Sequence, residues 1–312
     1  MNRFAYRPIV SSPRLVRLTD RLACELLPTY RAMATASSSP LGPAPWRQLF
    51  LEHVQTMASP EFTLSTIRKT SSPSSGTVYY SPRARTCVFR GLFAGLPANP
   101  KNEAELNPDV YETDFPTFTT DCRMDKMAEL FGTEETGEKL RGSGGGAPVE
   151  AVFWARETGT QWRVRGKAYV LAPDVEDSEE GKRVISTLTA RMRRKDASQG
   201  GWSFAREVTA HFGNMAPLMR GSFRSPPPGA PVALPVDDDR LKLGQKVTDL
   251  EDEVARANFR VVVIVPEGVD RTDLSDPERG RRWLYTFVGD KSEPTAPGGV
   301  VQDGWEEVEV WP

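Results

Sequence analysis

The chain alternates between two kinds of hydrophobic spacing, and the first is helical. Residues 46–57 carry apolar side chains at 46, 49, 50, 54 and 57. Steps of three and four predict an amphipathic helix with Trp46, Leu49 and Phe50 turned to a core, ended by Pro60. Residues 62–67 then alternate and are β-branched, which predicts a strand, and a Ser/Pro/Gly loop follows at 71–76. Two further β-rich runs occupy 77–80 and 86–91, and the Pro-, Asn- and acid-containing stretch 94–114 reads as a long loop. A short strand at 115–120 runs into a helix at 124–131, with Met127, Leu130 and Phe131 on one side. The glycine cluster at 142–148 predicts a flexible turn between this helix and two paired strands, 151–154 and 161–171. Residues 183–219 have a helical pattern interrupted at Gly200-Gly201, and Ser225-Pro-Pro-Pro-Gly229 stops it. Residues 236–256 are charge-rich and expected to be exposed. The strongest strand signal is 258–265, and 282–287 with 305–311 form a closing pair.

Seven or eight strands, few helices and no regular strand–helix alternation argue against a doubly wound parallel sheet. No GxGxxG opens a helix after a strand, so a Rossmann dinucleotide site is not expected. A mainly β fold with flanking helices, closed as an antiparallel barrel, fits the pattern best.

Composition narrows the partners. With 40 Lys plus Arg against 42 Asp plus Glu the net charge is −2, so nothing at the level of the whole chain points to nucleic acid. No apolar run approaches the roughly 18 residues of a membrane helix, and no membrane partner is expected. Three scattered Cys and two distant His give neither a disulfide framework nor a metal centre. Residues 1–40 hold six Arg, no Lys and only two acids, a composition like that of a mitochondrial transit peptide. Residues 1–43 are therefore expected to be a variable or targeting extension, and the protein cytoplasmic, or mitochondrial if the extension is a leader. The basic run Thr189-Ala-Arg-Met-Arg-Arg-Lys195 lacks interleaved aromatics and reads as a solvated helix face rather than an RNA contact.

Any anion site must come from local clusters. Arg83-Ala-Arg-Thr-Cys-Val-Phe-Arg90 places Arg85 and Arg90 five residues apart, on opposite faces of an ideal strand, so a bulge or the strand ends must bring both to one ligand. In Thr119-Thr-Asp-Cys-Arg-Met-Asp-Lys126 a strand meets a helix start, where unpaired N–H groups and partial positive charge suit an anion, and Arg123 and Lys126 add full charges. In Gly159-Thr-Gln-Trp-Arg-Val-Arg-Gly166, Gln161 both donates and accepts and could satisfy the polar edge of a ligand. Alone, the two basic segments read equally well as a solvated basic face or ordinary capping, and Gln161 reads better as a surface-strand residue.

Taken in order, the three segments resemble the pyridoxamine 5′-phosphate oxidase-like FMN-binding split barrels, in the branch of cyanobacteria, plants and fungi. The resemblance covers residues 44–171 and returns from Pro266 to the terminal Trp-Pro. It implies an antiparallel split β-barrel of Greek-key type over 44–312, with a helical and charged insertion at about 172–257. It also implies a homodimer holding FMN, in which the strand carrying Arg85, Thr86, Cys87, Val88 and Arg90 lines the flavin. Thr119, Thr120, Arg123 and Lys126 would complete the cofactor contacts, Gln161 would reach the flavin from the partner subunit, and Arg282 would lie near its ring. The activity implied is flavin-dependent oxidation or reduction of a small-molecule donor or acceptor, the alternative being a non-catalytic flavin-binding or sensing dimer. Two departures from the family pattern stand out, the first removing a hydroxyl donor to the cofactor phosphate and the second weighing against the vitamin phosphate as substrate. Met124 stands where the branch often has Ser, and Glu278-Arg-Gly280 stands where the true oxidases have Arg-Leu-His.

Overall fold

The computed structural model describes residues 41–195 and 200–312; the Arg-rich extension at 1–40 lies outside the described residues. The helix expected at the start is α1 (Arg47–Thr56), with Trp46 and Phe50 fully buried and Leu49 packed at the edge of the core. Strands β1 (Glu61–Ser71) and β2 (Val78–Val88) form an eleven-residue hairpin. The two β-rich runs are thus one strand interrupted by Pro82, which lacks an N–H and is tolerated because β2 is the outer strand there.

The long loop carries β3 (Tyr111–Glu112), followed by β4 (Thr117–Asp121) and the short α2 (Lys126–Phe131). Next come the paired β5 (Gly144–Ala155) and β6 (Thr160–Leu171). Most of the expected flexible turn at 142–148 is therefore strand. Gly145 sits at φ +98 where β5 shifts register against β6, and a Cβ there would stand 2.8 Å from the Ala168 carbonyl oxygen. That glycine serves a close backbone approach at a bulge rather than flexibility.

The helical stretch resolves into α3 (Glu179–Thr189), β7 (Arg193–Arg194) paired with β3, α4 (Phe204–Gly213) and α5 (Pro217–Gly221), with α6 (Glu253–Asn258) after the exposed loop. The run 189–195 is not a solvated helix face. Arg191 lies 3.5 Å over the Phe287 ring, and the Arg193 guanidinium bonds both oxygens of the buried Asp114. Cation–π contact and ion pairing take these charges inward, which spacing alone does not reveal.

Strand β8 (Phe259–Asp273) organises the rest, with β9 (Arg281–Phe287), β10 (Val300–Gln302) and β11 (Trp305–Val310). All pairings are antiparallel, in a nine-stranded sheet ordered β10-β11-β9-β8-β6-β5-β1-β2, with β4 on β8. One edge of β8 pairs along its length with β6; the other is shared by β4 at 259–263 and β9 at 268–273. The chain leaving β2 also bonds to the start of β4, through Arg90 N–H to Thr117 O at 2.8 Å and Thr117 N–H to Gly91 O at 2.9 Å. The fold is mainly β, an antiparallel sheet with flanking helices. Val262 and Ile264 enter the core under α1, while Phe259, Val261, Val263 and Val265 pack with residues of α3, α4 and α6, so β8 is apolar on both faces.

Candidate functional site

The turn from β4 into α2 gathers the polar side chains that the sequence offered as an anion site. Lys126 Nζ donates to Thr120 Oγ1 at 3.2 Å and contacts Met124 Sδ at 3.0 Å. The ammonium is half-buried, and burial depresses its pKa below the ordinary range; Cys87 opposes that shift and Arg85 adds to it. Conversely, burial raises the Cys87 thiol, while Lys126 and Arg85 pull it down. Arg85, Cys87, Thr120 and Lys126 thus share one neighbourhood, across β2 and the β4–α2 turn.

Two residues that motif reading passed over hold this cluster. Glu129, one helical turn after Lys126, is buried and ion-pairs with Arg85 Nη2. Its carboxylate also accepts the Thr66 hydroxyl at 2.5 Å, and Thr66 in turn accepts Arg85 Nη1. The side chains are 22% exposed for Arg85 and 3% for Glu129, so the guanidinium lies at the rim of the cluster and the acid beneath it. Glu129 offsets the Arg85 charge and fixes its plane, which leaves the net positive charge on Lys126. The i, i+3 relation of Lys126 to Glu129 on a helix was the available signal.

The other candidates separate. Thr119 faces away from Thr120, with Oγ1 4.0 Å from Met215 Sδ in the insertion. Arg123 turns to Asp121, with Nη2 at 2.6 Å, and to the carbonyls of Phe223 and Ser225. Thr86 and Val88 alternate with Arg85 and Cys87 and so face the other side of β2. Arg90 leaves the cluster and lines a cavity against α1 instead. Arg85 and Arg90 are therefore not brought to one point.

Gln161 and Arg282 lie elsewhere. Gln161 is opposite Thr272 of β8, and Thr272 is opposite Arg282, so the three form one cross-strand row. Thr120 is opposite Arg260, 12 positions away on β8, roughly 40 Å of strand contour. Arg282 grips Asp270 through Nε at 3.0 Å and Nη2 at 2.7 Å, and that bond raises its pKa. Exposed Trp154 is the neighbour of Gln161 across β5. Glu278 is exposed in the turn before β9.

Chemically, the Lys126 cluster offers one net cation, a rim guanidinium and a hydroxyl, a donor set matched to a phosphate group. Residues 43–172, which contain every element of the cluster, match the sequence model of the family described as pyridoxamine 5′-phosphate oxidase, FMN-binding domain. The chain is 20% identical to the uncharacterized protein YGR017W of Saccharomyces cerevisiae, over 86% of this chain and 98% of that one. Among solved structures it is similar to a pyridoxamine 5′-phosphate oxidase-related, FMN binding protein of Nostoc punctiforme, with 18% identity, 87% and 100% coverage and a TM-score of 0.49. It is also similar to PhzG of Burkholderia lata, solved with tetrahydrophenazine-1-carboxylic acid, with 14% identity, 85% and 90% coverage and a TM-score of 0.38.

Proposed function

We propose that this chain, whose residues 43–172 match the FMN-binding domain of the pyridoxamine 5′-phosphate oxidase family, is a flavoprotein that holds FMN by its phosphate at the Lys126 cluster. The observation that carries the reading is the half-buried Lys126 ammonium beside Thr120 and Arg85, within the matched segment. Lys126 supplies the charge, Thr120 a hydroxyl donor, and Arg85, held flat by Glu129, the planar fork. FMN, when bound, supplies hydride or electron transfer, and the protein supplies position and electrostatics. The absence of an evident nucleophile or acid–base dyad in the sequence is in keeping with that division of labour.

The finer reading is a split barrel acting as a homodimer. Backbone bonds between the end of β2 and the start of β4, together with the pairings β4–β8–β6–β5–β1–β2, support the barrel. The distance along β8 between the Lys126 cluster and the Gln161–Arg282 row supports the dimer: one flavin spans both sets only if a second copy provides the second set. Sedimentation of the FMN-loaded protein tests this; a monomer at full FMN stoichiometry would contradict it.

As a function we propose flavin-dependent oxidation or reduction of a small molecule other than pyridoxine or pyridoxamine 5′-phosphate. A second phosphate would have to settle near exposed Glu278, and a carboxylate there repels it. The first test is the absorbance spectrum and FMN titration of the purified protein. FMN affinity equal in wild type, Arg85→Ala and Lys126→Ala would refute the site. Anaerobic reduction of the bound flavin by NAD(P)H then distinguishes an enzyme from a binding or sensing dimer. Formation of pyridoxal phosphate at the rate of a true oxidase would refute the substrate exclusion.

A further inference from the structure

Arg90, like Arg220, Arg256, Arg260 and Arg271, has a buried guanidinium nitrogen without a partner, but it alone of these lines the cavity beside α1. Among the described residues it has no ion-pair partner, and its Nε is buried without a hydrogen-bond partner. Burial depresses its pKa, and no neighbouring acid offsets the shift. Arg90 is half-buried, and a guanidinium partly withdrawn from water without a counter-charge carries a desolvation cost. Arg85, five residues earlier on the same chain segment, has Glu129 for that purpose; Arg90 has nothing comparable.

The surroundings of Arg90 show what could supply the missing charge. It lines a cavity of about 480 Å³ between α1 and the turn that follows β2. Most of the wall is apolar, from Leu51, Val54, Met57, Phe89 and Leu92. The lining includes no Asp or Glu, and its other cation, Arg47, is already balanced by Asp114 at 3.3 Å and Glu112 at 3.7 Å. The cavity falls in the ordinary range for small-molecule sites, roughly 300–1,000 Å³.

The wall is also built to keep its shape. Gly91 has φ +101, and a Cβ there would stand 2.4 Å from Pro97 Cδ, so the turn folds back tightly on itself. Gly95 N–H bonds to Leu92 O at 3.0 Å, and Leu92 bridges to Pro116. The insertion holds the far side, where Asn214, the residue that caps α4, donates to Pro97 O at 3.1 Å and accepts from Asn99 N–H at 2.6 Å.

We infer that this cavity binds a small apolar monoanion, a carboxylate on a hydrophobic body, with Arg90 as the anchor for the carboxylate. A guanidinium fork matches a carboxylate in plane and in hydrogen-bond geometry. One uncompensated cation balances one negative charge, whereas a phosphate dianion would leave a charge unmet in an apolar wall. The inference does not rest on flavin binding, because the cavity shares no residue with the Lys126 cluster.

The test uses 2-naphthoate and its neutral counterpart 2-naphthamide, titrated calorimetrically into the full chain with and without FMN. The expected result is that naphthoate binds and the amide binds at least about tenfold more weakly, the value of one charge-assisted pair. Arg90→Met, which keeps the aliphatic stem, should reduce naphthoate to the level of the amide, and Arg90→Lys should recover part of the difference. Thermal melting of each variant confirms that the fold is intact. Equal affinity for acid and amide, or an Arg90→Met variant that binds naphthoate as wild type does, would overturn the inference. So would displacement of naphthoate by FMN, which would assign the cavity to the flavin itself. Naphthoate binding by a protein that fails to bind FMN would leave this inference standing and remove only the flavin reading.

Discussion

The two ends of β8 differ in how their charges are held. Near Arg260 lie the half-buried Lys126, the buried Glu129 and the rim Arg85; near Thr272, Arg282 and Arg163 share Asp270 on an open face. At the first end, burial makes each charge expensive unless a partner or ligand meets it, which suits the cluster to an anion. At the second, water screens the same residue types, and their geometry matters more than their charge. A donor set of the first kind can grip a phosphate, whereas one of the second kind contributes once another surface covers it.

The largest expected effect lies at the buried end. Glu129→Ala leaves Arg85 without its counter-charge and should cost about 3 kcal/mol of folding stability, read by urea denaturation, as removal of one partner of a buried pair does. A loss under 1 kcal/mol would mean that the pair behaves as an exposed one and that the two ends do not differ as described.

Lys126→Met should weaken FMN by about tenfold or more, from the loss of roughly 1.5–3 kcal/mol of charge-assisted hydrogen bonding. The same substitution tests the pH response. Burial holds the folded pKa of Lys126 below the ordinary 10.5, so as pH rises the folded protein gives up this proton before the unfolded chain does. Between the folded pKa and 10.5 the unfolded state binds more protons, and the contribution of Lys126 to the stability of the FMN-free protein rises with pH. FMN affinity should fall over the same window, because phosphate favours the charged ammonium. Both slopes, taken as wild type minus Lys126→Met, should have these opposite signs; parallel profiles would show that Lys126 does not titrate there.

Mixing Lys126→Met chains with Gln161→Ala chains sharpens the comparison further. If the ends act across a dimer, a mixed dimer keeps one site with both ends intact and loses the other, so the mixture should recover FMN stoichiometry above either parent alone. Unchanged stoichiometry on mixing would place both ends in the service of separate ligands. The smallest effect belongs to the open face: Arg282→Ala should change stability by under about 1 kcal/mol, since its pair with Asp270 is partly solvated.

Much of the sheet was readable from spacing. The α1 core residues Trp46 and Phe50, the pairing of β5 with β6, and the β9–β11 pair follow from local periodicity. The glycine cluster misled because a strand bulge and a flexible turn use the same residue, and only the approach of the Ala168 carbonyl separates them. The run 189–195 misled because cations become internal only when rings and acids distant in sequence, here Phe287 and Asp114, come to them. At the candidate site, Lys126 and Arg85 were visible as charged residues in suitable segments. Glu129 and Thr66 were not, because their part is played across strands.

The sequence by itself determined the mainly β class, the FMN-type segments and their order, because strand alternation, turn residues and short motifs are written in neighbouring positions. The tertiary structure decided which charges are compensated. It paired Arg85 with Glu129, left Arg90 in an apolar wall, and set Gln161 and Arg282 along β8 from Lys126. The physical reason is that the cost of a charge depends on its water, its partners and their distance, and those are properties of packed surfaces rather than of spacing along the chain.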